Sequence, residues 1–211
     1  MLSKALAEAT EILEIRRDLL VIYGKLGNIR KEEGDSTSAE AYYAKALALS
    51  KQLVAESGTI EAQSDLSACY NNLGNICKVQ GNPADAEAYY AKSLVLSEQL
   101  AAETRMVEDR RNLSVCYINL GDIRKEQDDL AGAEAYYTKA LALREQLVAE
   151  TGTVETRCDL SVSYDNLGDI CKVQGDLADA EAYYIKGLAL SEQLAKEART
   201  VVNYDTLAIL Y

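Results

Sequence analysis

Tyr70-Asn71-Asn72-Leu73-Gly74-Asn75-Ile76, followed by Gly81 and then by Ala86-Glu87-Ala88-Tyr89-Tyr90 and Leu94, decides the fold, because the rest of the chain repeats it. Tyr23, Tyr70, Tyr117, Tyr164 and Tyr211 stand at a constant step (70 − 23 = 47), and Gly27, Gly74, Gly121 and Gly168 keep the same step. A repeat of this length implies a solenoid, since one supersecondary unit cannot bury its apolar face alone. Working outward, Ala86, Tyr90, Ser93, Leu94, Ser97, Leu100 and Ala101 fall at the three-and-four spacing of one helix face. Leu66, Cys69, Tyr70, Leu73, Ile76 and Cys77 make a second stripe. Each repeat therefore holds two helices of about 20 residues, roughly 30 Å long, paired antiparallel.

Two kinds of turn separate the helices. The tight one is Gly34-Asp35, Gly81-Asn82-Pro83, Asp128-Asp129 and Gly175-Asp176, with a left-handed stop followed by an Asp or Asn cap. The other is Ser57-Gly58-Thr59, Thr104-Arg105-Met106, Thr151-Gly152-Thr153 and Ala198-Arg199-Thr200, with a further turn expected at Thr10-Glu11-Ile12. These signals predict repeat copies over 13–59, 60–106, 107–153 and 154–200 within one domain spanning 1–211, flanked by partial helices 1–9 and 201–211. Copies alternate: Ile29-Arg30-Lys31-Glu32 matches Ile123-Arg124-Lys125-Glu126, and Ile76-Cys77-Lys78-Val79 matches Ile170-Cys171-Lys172-Val173. Duplication of a two-repeat block accounts for that.

Composition limits the function. With 48% hydrophobic residues, one Pro and 12 Gly, the chain favours helix throughout, and no strand is expected. A net charge of −12 with no His argues against nucleic acid and for a basic or mixed-charge partner. Cys69, Cys77, Cys116, Cys158 and Cys171 lie inside helical patterns without Cys-x-x-Cys spacing, so we expect free, buried thiols and no metal. No signal peptide and no long uncharged apolar run is visible, which gives the expectation of a cytoplasmic protein that does not cross a membrane. Asn112-Leu113-Ser114 is formally a glycosylation sequon, but it lies within a predicted helix. No phosphate loop and no nucleophile beside a base is present, so neither an enzyme nor a cofactor is expected.

The period alone also suits HEAT or armadillo arrays. The motif does not. Tyr70, Leu73, Gly74, Ala86 and Tyr90 resemble the tetratricopeptide signature, and so do Tyr23, Leu26, Gly27, Ala39 and Tyr43; Tyr117, Leu120, Gly121, Ala133 and Tyr137; and Tyr164, Leu167, Gly168, Ala180 and Tyr184. The usual unit has 34 residues, so each hairpin here is longer, as in kinesin light chain-like repeats and long bacterial arrays that open on Asp-Leu-Ser, found here at Asp65-Leu66-Ser67 and Asp159-Leu160-Ser161. The resemblance implies an all-α, right-handed superhelical α-solenoid of about ten helices, including two truncated end helices. It implies a scaffold that binds a protein or peptide in a concave groove lined by the first helix of each pair, or alternatively a ligand-sensing regulatory domain of a signalling protein.

By that resemblance the lining rows are Gly24, Asn71, Ile118 and Asp165; then Asn28, Asn75, Asp122 and Asp169; then Lys31, Lys78, Lys125 and Lys172. The second and third rows are expected to pair at three-residue spacing. The carboxylate clamp of chaperone-binding relatives needs a Lys where Asn71, Ile118 and Asp165 stand, so a C-terminal carboxylate ligand is not expected. The half-helices at the two ends suggest a fragment of a larger protein. Tyr204, Leu207, Ile209, Leu210 and Tyr211 would form an apolar patch for weak end-to-end self-association.

Overall fold

The computed structural model describes the backbone of residues 2–208 and the side chains of residues 11–198. The described residues form eight helices and no strand: α1 (Leu2–Glu32), α2 (Ser36–Ser57), α3 (Ile60–Val79), α4 (Pro83–Thr104), α5 (Val107–Glu126), α6 (Leu130–Thr151), α7 (Val154–Gln174) and α8 (Leu177–Ala208). We call α1, α3, α5 and α7 the A helices and α2, α4, α6 and α8 the B helices. The chain divides into two compact units, Met1–Asp109 and Arg110–Tyr211.

The turns form as their chemistry dictates. Asp35, Asn82 and Asp129 accept from the backbone N–H of Ser38, Asp85 and Gly132, and so cap α2, α4 and α6. Gly58 and Gly152 end α2 and α6 in the left-handed conformation, while Arg105 and Asp128 adopt it without being glycine. Two expected turns are missing, which is why there are eight helices where the sequence suggests about ten. At Thr10-Glu11-Ile12 the Gly58 position holds Glu11 and the capping Thr59 position holds Ile12, which has no oxygen to cap with. At Ala198-Arg199-Thr200, Ala198 replaces the hydroxyl that Ser57 and Thr151 donate to Leu53 and Leu147 carbonyls. Without those stops the chain stays helical, and α1 and α8 run on through both points. The apolar patch expected over 204–211 lies outside the described side chains.

Within each hairpin the A and B helices meet through one repeated contact. A Cβ built on Gly74 would lie 2.5 Å from the ring of Tyr90, and Gly121 and Gly168 stand in the same relation to Tyr137 and Tyr184, as Gly27 does to Tyr43. Tyr43, Tyr90 and Tyr137 are at most 1% exposed. Each of these phenols, and that of the half-buried Tyr184, donates to the residue after the glycine: Tyr43 to Asn28 (2.7 Å), Tyr90 to Asn75 (2.8 Å), Tyr137 to Asp122 (2.7 Å) and Tyr184 to Asp169 (2.9 Å). The second tyrosine of each pair has another task. Tyr42, Tyr89, Tyr136 and Tyr183 lean on Tyr23, Tyr70, Tyr117 and Tyr164 at 6.3–6.4 Å between ring centres. Lys45, Lys92, Lys139 and Lys186 each sit over both rings of a pair at 5.5–5.8 Å.

In the first unit Tyr43, Ala46, Leu53, Leu66, Cys69, Leu73 and Ile76 form the core where α2 meets α3. In the second unit Ala133, Tyr137, Leu167 and Ile170 do the same for α6 and α7. There the buried Arg144 stands where the other repeats carry Ser50, Ser97 and Ser191. Burial lowers its pKa, and it donates to Ser114 (3.1 Å), Ser163 (3.0 Å) and the Asp159 carbonyl (2.6 Å). Four of the five thiols are buried, and burial pushes Cys69 up to about 11. Cys158 is exposed instead, because its position is the outward one held by Arg17 and Arg111 in the odd repeats.

Replacing Tyr90 with Ala should cost about 3–5 kcal/mol, as for large aromatic side chains removed from packed interiors. Tyr89→Ala should cost clearly less, since Tyr89 is only half-buried. Urea unfolding of the two variants checks this, and equal losses would contradict the assignment.

Candidate functional site

The rows of residues along the A-helix face do different things. Asn28, Asn75, Asp122 and Asp169 use one oxygen each to accept a tyrosine phenol, so they belong first to the hairpin. Ile118 packs against the core of the second unit. Asp165 leans over α8, with its Oδ1 2.9 Å from where a Cβ on Gly187 would lie. Asn71 and Lys78 are half-buried. Of the row 24, 71, 118, 165, Ile118 thus packs inward and Asp165 turns toward its own B helix, leaving the centre of the face to other residues.

The pairing between rows is lateral. Lys125 Nζ donates to Asp169 Oδ2 at 3.1 Å, reaching from α5 to α7 instead of to Asp122 one turn away. Burial alone would raise the Asp169 carboxyl, but the hydrogen bonds from Tyr184 and Lys125 and the charges of Lys125 and Lys172 hold it below its ordinary value. The same lateral logic joins Arg17 to Asp65 (3.0 Å) in the first unit and Arg111 to Asp159 (2.6 Å) in the second. Both are A-to-A pairs spaced 48 residues apart, and they occur from odd to even repeats, where the duplicated block places Arg and Asp in phase. Burial lifts the Asp65 carboxyl, and Arg17 offsets this only in part.

Between α1 and α3 the face opens into a recess of about 200 Å3. Leu20, Ala46 and Cys69 line its inner part, Val21, Gly24 and Ala68 its sides, and Lys25, Asn28, Asp65 and Asn72 supply its polar groups. Of these, Gly24 and Asn28 were legible in the sequence rows. Val21, Lys25, Ala68 and Asn72 were missed, although each lies on the same helical face as a chosen residue and repeats with it, as Val115, Asn119, Val162 and Asn166 do in the second unit. A wider hollow of about 550 Å3 lies on α3 and α4 beside Tyr70, Lys92 and Val95, but its lining is apolar apart from Lys92, which is already stacked on Tyr70 and Tyr89.

Among the described residues, no group of three or more His, Cys, Asp or Glu could hold a metal, and no helix is long and apolar enough to cross a membrane. The molecule is thus an all-helical repeat protein of α-solenoid type, whose hairpins join through a Gly–Tyr contact. The tetratricopeptide repeat family matches residues 20–53, 65–146 and 160–198, and the chain belongs to that family. No curated protein matches it by sequence. Among solved structures it is similar to BtubC (BKLC) from P. vanneervenii, at 25% identity and a TM-score of 0.67, over 83% of this chain and 64% of that one. It is also similar to the apo form of RapI, at 12% identity and a TM-score of 0.67, over 87% of this chain and 59% of that one. The chain therefore spans less than two thirds of either relative.

Asp169 gives a pH test with a defined sign. A carboxyl held low in the folded state adds stability above its unfolded value, near 3.8, that is lost as pH falls through the folded value. Lys125→Met should therefore be less stable than the parent at neutral pH, by under about 1 kcal/mol because both side chains are solvated and screened. The gap should close in acid, as pH falls through the folded value of Asp169. Urea unfolding at the two pH values measures it, and a gap that persists in acid would contradict the pairing.

Proposed function

We propose that the chain is a non-enzymatic protein-interaction scaffold that holds a peptide segment of a protein partner along the A-helix face. Tetratricopeptide repeats support the general role of protein–protein contact. The observation that carries the finer reading is the recess between α1 and α3, which combines apolar walls with side-chain amides. Asn28 spends its oxygen on Tyr43, so its N–H groups remain to donate outward, and Asn72 adds a second amide. Such donors and acceptors suit a peptide backbone, while the apolar walls suit its side chains.

The charge of the face sets the partner's character. The chain carries −12 overall, and Asp122, Asp165 and Asp169 sit on the second unit's A helices with Lys125 and Lys172 beside them. A mixed-charge partner with basic residues meets this best, and nucleic acid does not. The same reading assigns the protein to the cytoplasm, with weak self-association through its end helices as a secondary property.

The test places a photoreactive residue at Ala68, exposed on α3 in the recess, or at Ala44, exposed on α2. Cross-linking of a protein partner from Ala68 and not from Ala44 is expected. The reverse would move the binding surface to the B helices.

A further inference from the structure

Gly24 is the one described glycine inside a helix where an added Cβ would meet nothing. A Cβ at Gly27, Gly74, Gly121 or Gly168 would meet a tyrosine ring, one at Gly132 the Asp129 carboxylate, and one at Gly187 the Asp165 carboxylate. At Gly24 a Cβ meets nothing within 4 Å, and the backbone is not left-handed. Glycine in mid-helix weakens the helix through backbone entropy, and here no close approach offsets that.

The equivalent positions in the other repeats are Asn71, Ile118 and Asp165. In the second unit those positions carry side chains that cover the same region: Ile118 is half-buried against the core and Asp165 covers Gly187. With nothing at Gly24, the space stays open down to Ala46 and becomes part of the recess of about 200 Å3. A second departure adjoins it. Lys25 stands where the other repeats have Asn72, Asn119 and Asn166. Arg17 is held by Asp65, so Lys25 is the recess cation that no described carboxylate neutralises.

We infer that the recess over Gly24 is a pocket for one leucine- to phenylalanine-sized apolar side chain of a partner peptide, with a neighbouring carboxylate of that peptide pairing with Lys25. This rests on the A-helix face being the binding surface. The missing side chain at position 24 is what admits the partner's residue, and Lys25 selects an acidic neighbour over a basic one. Gly24 is therefore a specificity-determining position maintained against helix stability.

The experiment titrates the whole 211-residue chain with short acetylated Gly/Ser peptides carrying a central Xaa-Glu pair, where Xaa is Leu, Phe or Ala, and with Xaa-Lys and Xaa-Gln counterparts, followed by backbone amide shifts. Leu-Glu and Phe-Glu should bind at least about tenfold more tightly than Ala-Glu or Leu-Lys, with shifts at Val21 and Asn72. Gly24→Asn and Gly24→Ile, which install residues used in other repeats, should raise the melting temperature by about 2–4 °C while weakening Leu-Glu about tenfold. Lys25→Asn should erase the preference for Glu over Gln. Gly24 variants that melt higher yet bind Leu-Glu unchanged would overturn the pocket even if shifts remain on the A-helix face, an outcome that leaves the face itself standing. Absence of binding by every peptide would overturn it too, and partner cross-linking from Ala44 alone would separately remove the face.

Discussion

The glycine that lets a tyrosine ring rest on the backbone of the facing helix is the contact on which the rest of this protein depends. In every hairpin the ring occupies the place of a missing Cβ, and its phenol reaches the Asn or Asp one residue further along the A helix. Burying a phenol without a partner costs about 1–3 kcal/mol, so the hydroxyl and its acceptor fix the axial register of the two helices while the ring fixes their separation. A glycine in mid-helix costs about 1 kcal/mol against alanine. The close packing of a large ring outweighs that cost, which explains why the residue recurs at each of the four positions.

That register governs the candidate site. Because Asn28, Asn75, Asp122 and Asp169 are each bound to a phenol, they are held rigidly and present only their remaining polar atoms outward. One turn beyond Asp122, Lys125 reaches Asp169 on the next A helix. Of the side chains one turn earlier, Ile118 packs against the core and Asp165 turns to the B helix, and the surface between them falls to Val, Ala, Asn and Lys25. A binding face of this kind is made of whatever the hairpin contact leaves over.

Much of this was legible in the sequence, for a physical reason in each case. The recurrence of Tyr, Leu-Gly, Ala and Tyr at constant spacing specified paired helices. The acceptor of the phenol was not legible, because it depends on axial register that spacing does not encode, so Asn75 and its equivalents read as groove residues alone. Arg144 was hidden in an apolar stripe, since nothing in the local pattern shows that Ser114, Ser163 and a helix carbonyl converge on it. Cys158 was misread as buried because the five thiols were taken together, whereas the 47-residue step aligns Cys116 with Cys69 but Cys158 with Arg17 and Arg111, which places it outside. The continuous ends of α1 and α8 follow from missing cap atoms, a signal that is present in Ile12 and Ala198 and that the helical period overrode.

The central claim is most directly tested by the sign of one stability change. Gly74→Ala introduces a methyl group where the Tyr90 ring lies, 2.5 Å from its nearest atom. Helix propensity taken alone makes this substitution stabilising by about 1 kcal/mol, whereas overpacking against a buried ring makes it destabilising by about 1–3 kcal/mol. Equilibrium urea unfolding of the parent and of Gly74→Ala decides between them. The account predicts a loss of stability, and an equal or greater stability for Gly74→Ala would contradict it.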